Sequence, residues 1–152
     1  MSYRWNAFLP LLKFLGFISN FKMSSTNQRI VPLIITFVIY LSGYYFILHF
    51  PIIPDFLKKF LLATVVVNAI TLIVSSKWKI SLHMIGIGGV TGLTIALASY
   101  HPLNYHLYLM GVFLLSGIIG TLRLYLDEHN ALQIYTGYAL GFLTVLLVIL
   151  IY

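Results

Sequence analysis

Seven residues of this chain have types and spacings that could do chemistry together: Lys22, Arg29, Ser81, His83, Arg123, His129 and Gln133. Arg offers a planar fork of N–H donors and Lys a compact point charge, so three cations and a hydroxyl form a cradle for an oxyanion. Two imidazoles add what the cradle lacks. One can attack as a nucleophile while the other protonates the departing oxygen. The tightest group is the run Arg123, five residues, His129, three residues, Gln133, a spaced cation, imidazole and amide.

These residues stand out because the rest of the chain avoids polarity. Among 152 residues, 8% are charged and 61% hydrophobic, with a mean hydropathy of +0.99. Such a composition makes an integral membrane protein, in the cytoplasmic (inner) membrane if the source is bacterial. Ionisable groups at the ends of membrane segments are costly to insert and tend to mark function. Nine Lys and Arg against three Asp and Glu give a net charge of +6, which in a soluble protein would suggest nucleic acid. Here the basic residues belong in loops that meet anionic headgroups, so membrane lipids and no nucleic acid are the expected partners. There is no cysteine, hence no disulfide, thiolate nucleophile or Cys-based metal site.

The elements that must position the seven are membrane helices. Apolar runs at Ile30–Phe50, Phe60–Ser75, Ser81–Tyr100, Tyr105–Leu122 and Ile134–Tyr152 can each cross a hydrocarbon layer of roughly 30 Å. Lipid requires backbone groups to be satisfied within the segment, so the fold class is all-α, a polytopic transmembrane helical bundle of five helices. The second run borrows Phe56 and Leu57 while Lys58 and Lys59 snorkel. Trp5–Phe21 carries Pro10 and Lys13 and no small-residue cleavage site, and reads as a short membrane-associated N-terminal helix that either crosses or lies at the surface, a tilted, partly inserted helix being preferred. The whole chain, 1–152, makes a single membrane-embedded domain, with 5–21 as the short apolar segment and 30–152 as the core bundle. Gly88-x3-Gly92, Ser116-x3-Gly120 and Gly137-x3-Gly141 predict close helix contacts. The GIGG string at Gly86–Gly89 lies inside a helix without Walker residues and reads as packing.

Alternating crossings collect Lys22 and Arg29, Ser81 and His83, and Arg123 to Gln133 at one membrane face, called A here. Pro51–Lys59, His101–His106 and the C-terminus share face B, where Tyr44, Tyr45, Tyr100, Tyr105 and Tyr108 form an interfacial belt. The positive-inside tendency favours face A in the cytoplasm, but part of the count is Arg4 and Lys13 of the first segment, so the sequence leaves the orientation open. Each candidate also has a plainer role. Ser81 fits the N-cap of the third long helix. Arg123 could snorkel and pair with Asp127 or Glu128. His49, His101 and His106 show no ligand spacing and suit an interface.

Together, Lys22-x6-Arg29 with Pro32 following, Ile80-Ser81-Leu82-His83, and Leu122-Arg123-x5-His129-x3-Gln133 resemble the three-part pattern of the type 2 phosphatidic acid phosphatase superfamily. The resemblance spans Lys22 to Gln133 and implies a minimal or degenerate member that hydrolyses a lipid or isoprenoid phosphate ester, monophosphate or diphosphate, through a phosphohistidine. It implies that His129 attacks phosphorus and His83 protonates the leaving alkoxide. Lys22, Arg29, Ser81 and Arg123 would hold the phosphoryl oxygens, with no metal or other cofactor. Gln133 replaces the family's Asp, keeping an acceptor for the imidazole N–H but bringing no charge. From a different class, the same departures imply a headgroup-binding protein or an accessory subunit of an oligomer or membrane complex.

Overall fold

The computed structural model of the protein describes residues 26–100 and 104–152, with side chains from Ile30 onward. Five helices follow one another: α1 Thr26–Leu48, α2 Asp55–Lys77, α3 Leu82–Tyr100, α4 His106–Tyr125 and α5 Ala131–Ile151. All five are long and apolar enough to cross a membrane, so this is an all-α, integral-membrane type of chain. The expected segment at Trp5–Phe21 lies outside the described residues.

Two helix ends differ from the apolar runs in ways that bear on the site. Helix α4 continues through Tyr125, so Arg123 sits in its last turn, where a cation opposes the helix dipole favourably. Helix α5 starts three residues earlier than its apolar run, because Asn130 and Gln133 form a capping box. The Asn130 side chain accepts from the Gln133 backbone N–H at 2.9 Å, and the Gln133 side chain accepts from the Asn130 N–H at 3.3 Å. Such reciprocal bonds satisfy two first-turn donors that would otherwise be orphaned.

Helix α3 against α5 is the closest pairing, and the predicted glycines explain it. A Cβ on Gly88 would strike the Tyr138 carbonyl, one on Gly141 the Ile85 carbonyl, and one on Gly92 would lie 2.5 Å from the Phe142 carbonyl. Only glycine allows backbones this close, and the van der Waals gain drives association where lipid removes the hydrophobic incentive. On α4 the contact is looser: a Cβ on Gly120 would find Met84 and Ile134 at ordinary distances of 3.6–3.8 Å. Helix α2 joins the pair through Ala63, packed with Ala96, Val145 and Ile149, and α1 packs mainly against α2.

The two ends of the bundle are tied by polar contacts that agree with the alternating topology. At one end Lys59 donates to the Tyr100 hydroxyl at 3.3 Å, which itself donates to the Ile149 carbonyl at 3.1 Å. At the other, the Ser81 N–H donates to the Gln133 carbonyl at 3.5 Å, and Lys79 pairs with Glu128 at 3.7 Å. The loops entering α3 and α5 therefore share face A.

Candidate functional site

Face A is assembled by two tight connections: residues 78–81 between α2 and α3, and 126–130 between α4 and α5. The second is short enough that Asp127 takes a left-handed backbone, φ 51°, a conformation that Asp tolerates better than most residues. The turn reverses the chain and delivers His129 immediately before the Asn130 cap.

Gln133 then does two things with one oxygen. Besides the capping bond, its Oε1 accepts from the His129 ring at Nδ1, 3.0 Å away. An i to i+4 spacing places a side chain over the preceding turn, where it meets the residue just outside the helix. With Nδ1 carrying the proton, Nε2 keeps its lone pair. Burial first, then the nearby Lys79 ammonium and Arg123 guanidinium, push the His129 imidazole below its ordinary range. The Gln133 bond and the Glu128 carboxylate pull the other way. A neutral, oriented imidazole at neutral pH is the result.

The second imidazole arrives from α3. His83, in the first turn of α3 and exposed, meets Arg123 from the end of α4: Nη2 lies 2.6 Å from Nδ1 and 2.7 Å from Nε2. A nitrogen nearly equidistant from both ring nitrogens sits over the imidazole rather than along either in-plane lone pair, so the guanidinium lies against the ring face. The expected alternative, Arg123 paired with Asp127 or Glu128, is not what the fold adopts. Glu128 turns instead to Lys79, a basic residue from the opposite loop.

Ser81 requires a correction. It precedes α3 as an N-cap should, but its hydroxyl makes no hydrogen bond and the residue is 0% exposed. Its backbone explains why: a Cβ on Gly137 would lie 2.9 Å from the Ser81 carbonyl, so α5 presses directly on this residue and seals the side chain in. The Ser81 hydroxyl is thus buried and unpartnered, two residues before His83, and does not cap α3. Lys22 lies outside the described residues, and of Arg29 only the backbone, in the first turn of α1, is described.

Lys79, Glu128 and Asn130 are members of the site that the spacing argument passed over. Asn130 was findable, because Asn-x-x-Gln before an apolar run is a capping-box signature. Lys79 and Glu128 carry no local signal; only the folded loops bring them together.

The cluster is thus a cationic rim of Lys79 and Arg123 around two imidazoles, at the N-terminal ends of α3 and α5. Helix N-termini favour anions through their free N–H groups and dipole. The arrangement can receive an anion with Arg123 as donor, present a neutral nitrogen nucleophile at His129, and hold a second proton carrier at His83. Compared with protein-family profiles, curated proteins and solved structures, the chain matches none.

Proposed function

We propose that this protein is an integral membrane phosphatase acting on a lipid or isoprenoid phosphate ester, with the face A cluster as its centre. One observation carries the reading: residues separated by 40 positions in the sequence, His83 and Arg123, are in side-chain contact beside a His129 whose Nδ1 is already committed to Gln133. An amphiphilic substrate would place its phosphate at this rim and its apolar part in the bilayer. Arg123 leaves the His83 ring for phosphoryl oxygens, which accept from a guanidinium in strong charge-assisted bonds. His83, released and protonated, gives its proton to the leaving alkoxide as His129 Nε2 bonds to phosphorus. Water then hydrolyses the phosphohistidine and frees inorganic phosphate. Lys79, and the resemblance's Lys22 and Arg29, would add positive charge for the transition state. The resemblance also assigns Ser81 to the phosphoryl oxygens; its hydroxyl is unpaired and buried beneath α5.

Gln133 supports a second reading. A capping amide orients His129 but gives no negative charge to stabilise a cationic imidazole, which suits a headgroup-binding protein that does not turn over. The test is phosphate release from mixed micelles of phosphatidate, phosphatidylglycerophosphate and polyprenyl phosphates, with wild type beside His129→Ala. A loss of about 10³-fold or more in kcat supports the enzyme. Equal release from both proteins removes it, and saturable binding of the same lipids without release supports the second reading.

A further inference from the structure

A separate feature lies within the membrane. Helices α1, α2 and α3 leave between them a cleft of about 380 Å³. One wall, α3 from Leu82 to Leu93, is apolar. The floor and the opposite wall mix polar and apolar side chains: Thr64, Asn68 and Thr71 lie along α2 among Phe60 and Val67, and Thr36 and Tyr40 come from α1 with Leu33. Asn68 is nine residues before Lys77, about 14 Å along the helix, close to the middle of a hydrocarbon layer of roughly 30 Å. Polar side chains at that depth are expensive and mark interiors, pathways or ligands.

The hydrogen bonds leave capacity unused. Thr36 and Thr64 donate to the carbonyls of Pro32 and Leu61 in their own helices, at 2.8 and 2.7 Å, which spends their protons and keeps their lone pairs. Asn68 donates one N–H to the Thr64 carbonyl at 2.9 Å, a bond that does not involve its amide oxygen. Thr71 lines the cleft, is 3% exposed, and its hydroxyl has no partner. A buried, unpaired hydroxyl in hydrocarbon is costly.

We propose that this cleft binds one neutral, lipid-soluble molecule that carries a hydroxyl on a slender apolar body. The cleft's volume falls within the roughly 300–1,000 Å³ of small-molecule sites. The polar floor favours an occupant with a donor of its own over a plain hydrocarbon chain, because the Asn68 amide oxygen takes part in no bond among the described residues. Leu82 to Leu93 spans about 16 Å of helix, so an occupant of about a dozen carbons fits lengthwise. Access is sideways from the bilayer, past Tyr40 and Val90, which stay 39% and 45% exposed. This site is independent of the phosphatase reading.

The experiment measures saturable binding of radiolabelled 1-dodecanol and n-dodecane to the full-length protein in nanodiscs of zwitterionic lipid. Dodecanol is expected to bind about tenfold more tightly than dodecane, the worth of a well-made hydrogen bond. Asn68→Leu should erase that difference while keeping dodecane binding, which also reports an intact fold. Gly86 borders the cleft, and a Cβ there meets nothing within 4 Å, so Gly86→Phe should abolish binding of both. Equal affinities for the two probes in wild type, or no saturable binding of either, would overturn the proposal. So would a dimer that Gly86→Phe disperses, since a second copy would then occupy the cleft.

Discussion

Replacing Gln133 probes the site at the residue where orientation and charge separate. Its Oε1 accepts from His129 Nδ1 at 3.0 Å and from the Asn130 N–H at 3.3 Å. In Gln133→Leu both bonds disappear, at a cost of about 1 kcal/mol in stability for the cap. The Gln133 bond raises the His129 pKa against burial and two neighbouring cations, so its removal must lower that pKa further. Gln133→Glu works in the opposite sense. A carboxylate at about 3–4 Å from an imidazolium would contribute roughly 4 kcal/mol at an effective dielectric of about 20, and half-exposure reduces this. A rise of about one to two pH units is the reasonable expectation, together with a few tenths of a kcal/mol from a negative charge in the first turn of α5. The assay is an NMR titration of the five histidine Cε1 resonances, with His129 assigned by its absence in His129→Ala. It needs no substrate. On phosphate release, Gln133→Leu should lower kcat by about 10²-fold, well inside the ~10⁴ loss known for a misoriented catalytic imidazole. Gln133→Glu should keep activity and move its acid limb upward. An unchanged or raised His129 midpoint in Gln133→Leu would refute the reasoning, because the bond would not be governing the ring.

Other expectations follow from the same geometry. Lys79→Met should raise the His129 midpoint in that titration, since the ammonium disfavours a second cation, while changing stability by less than about 1 kcal/mol because the Lys79–Glu128 pair is part-exposed. Because the His129 pKa is lowered on folding, the folded state takes up its proton later than the unfolded chain. Its stabilising contribution is complete above the unfolded value of about 6.5 and is lost as pH falls through the folded value; unfolding in mixed micelles should show this, and His129→Ala should flatten it. Gly141→Ala drives a methyl into the Ile85 carbonyl, whereas Gly117 has open space. The first should cost about 2 kcal/mol or more and the second almost nothing, measured by steric trapping. Asp127→Val at φ 51° should cost about 1–2 kcal/mol in the same assay, with Asp127→Gly neutral or stabilising.

The helices were legible in the sequence because lipid leaves a hydrophobic segment one way to satisfy its backbone. The glycine pairs in α3 and α5 were legible for a related reason: small residues four apart in successive apolar runs have little other use. Helix ends were less so. The apolar run suggested that α5 begins at Ile134, but Asn130 and Gln133 cap it earlier, since polar side chains that bond the backbone extend a helix past its hydrophobic stretch. Arg123 shows the limit of sequence proximity. Asp127 and Glu128 are its nearest acids along the chain, yet the short turn faces Glu128 towards Lys79 and leaves Arg123 to His83. Ser81 shows the limit of motif reasoning. Its position before α3 fits a cap, but how closely α5 approaches at Gly137 decides whether the hydroxyl is open or sealed, and only packing fixes that distance.

The central claim is that His129 is the nucleophile of a phosphate-ester site, and a phosphoenzyme trap tests it most directly. Full-length protein in micelles would be incubated with phosphatidate and polyprenyl phosphates labelled with ³²P in the phosphate, then denatured in alkali. The account predicts a label on the protein that is stable to alkali, lost in acid, mapped to the peptide holding His129 and absent from His129→Ala. Phosphate released at the same rate by wild type and His129→Ala, or no label and no release with any of these substrates, would contradict it.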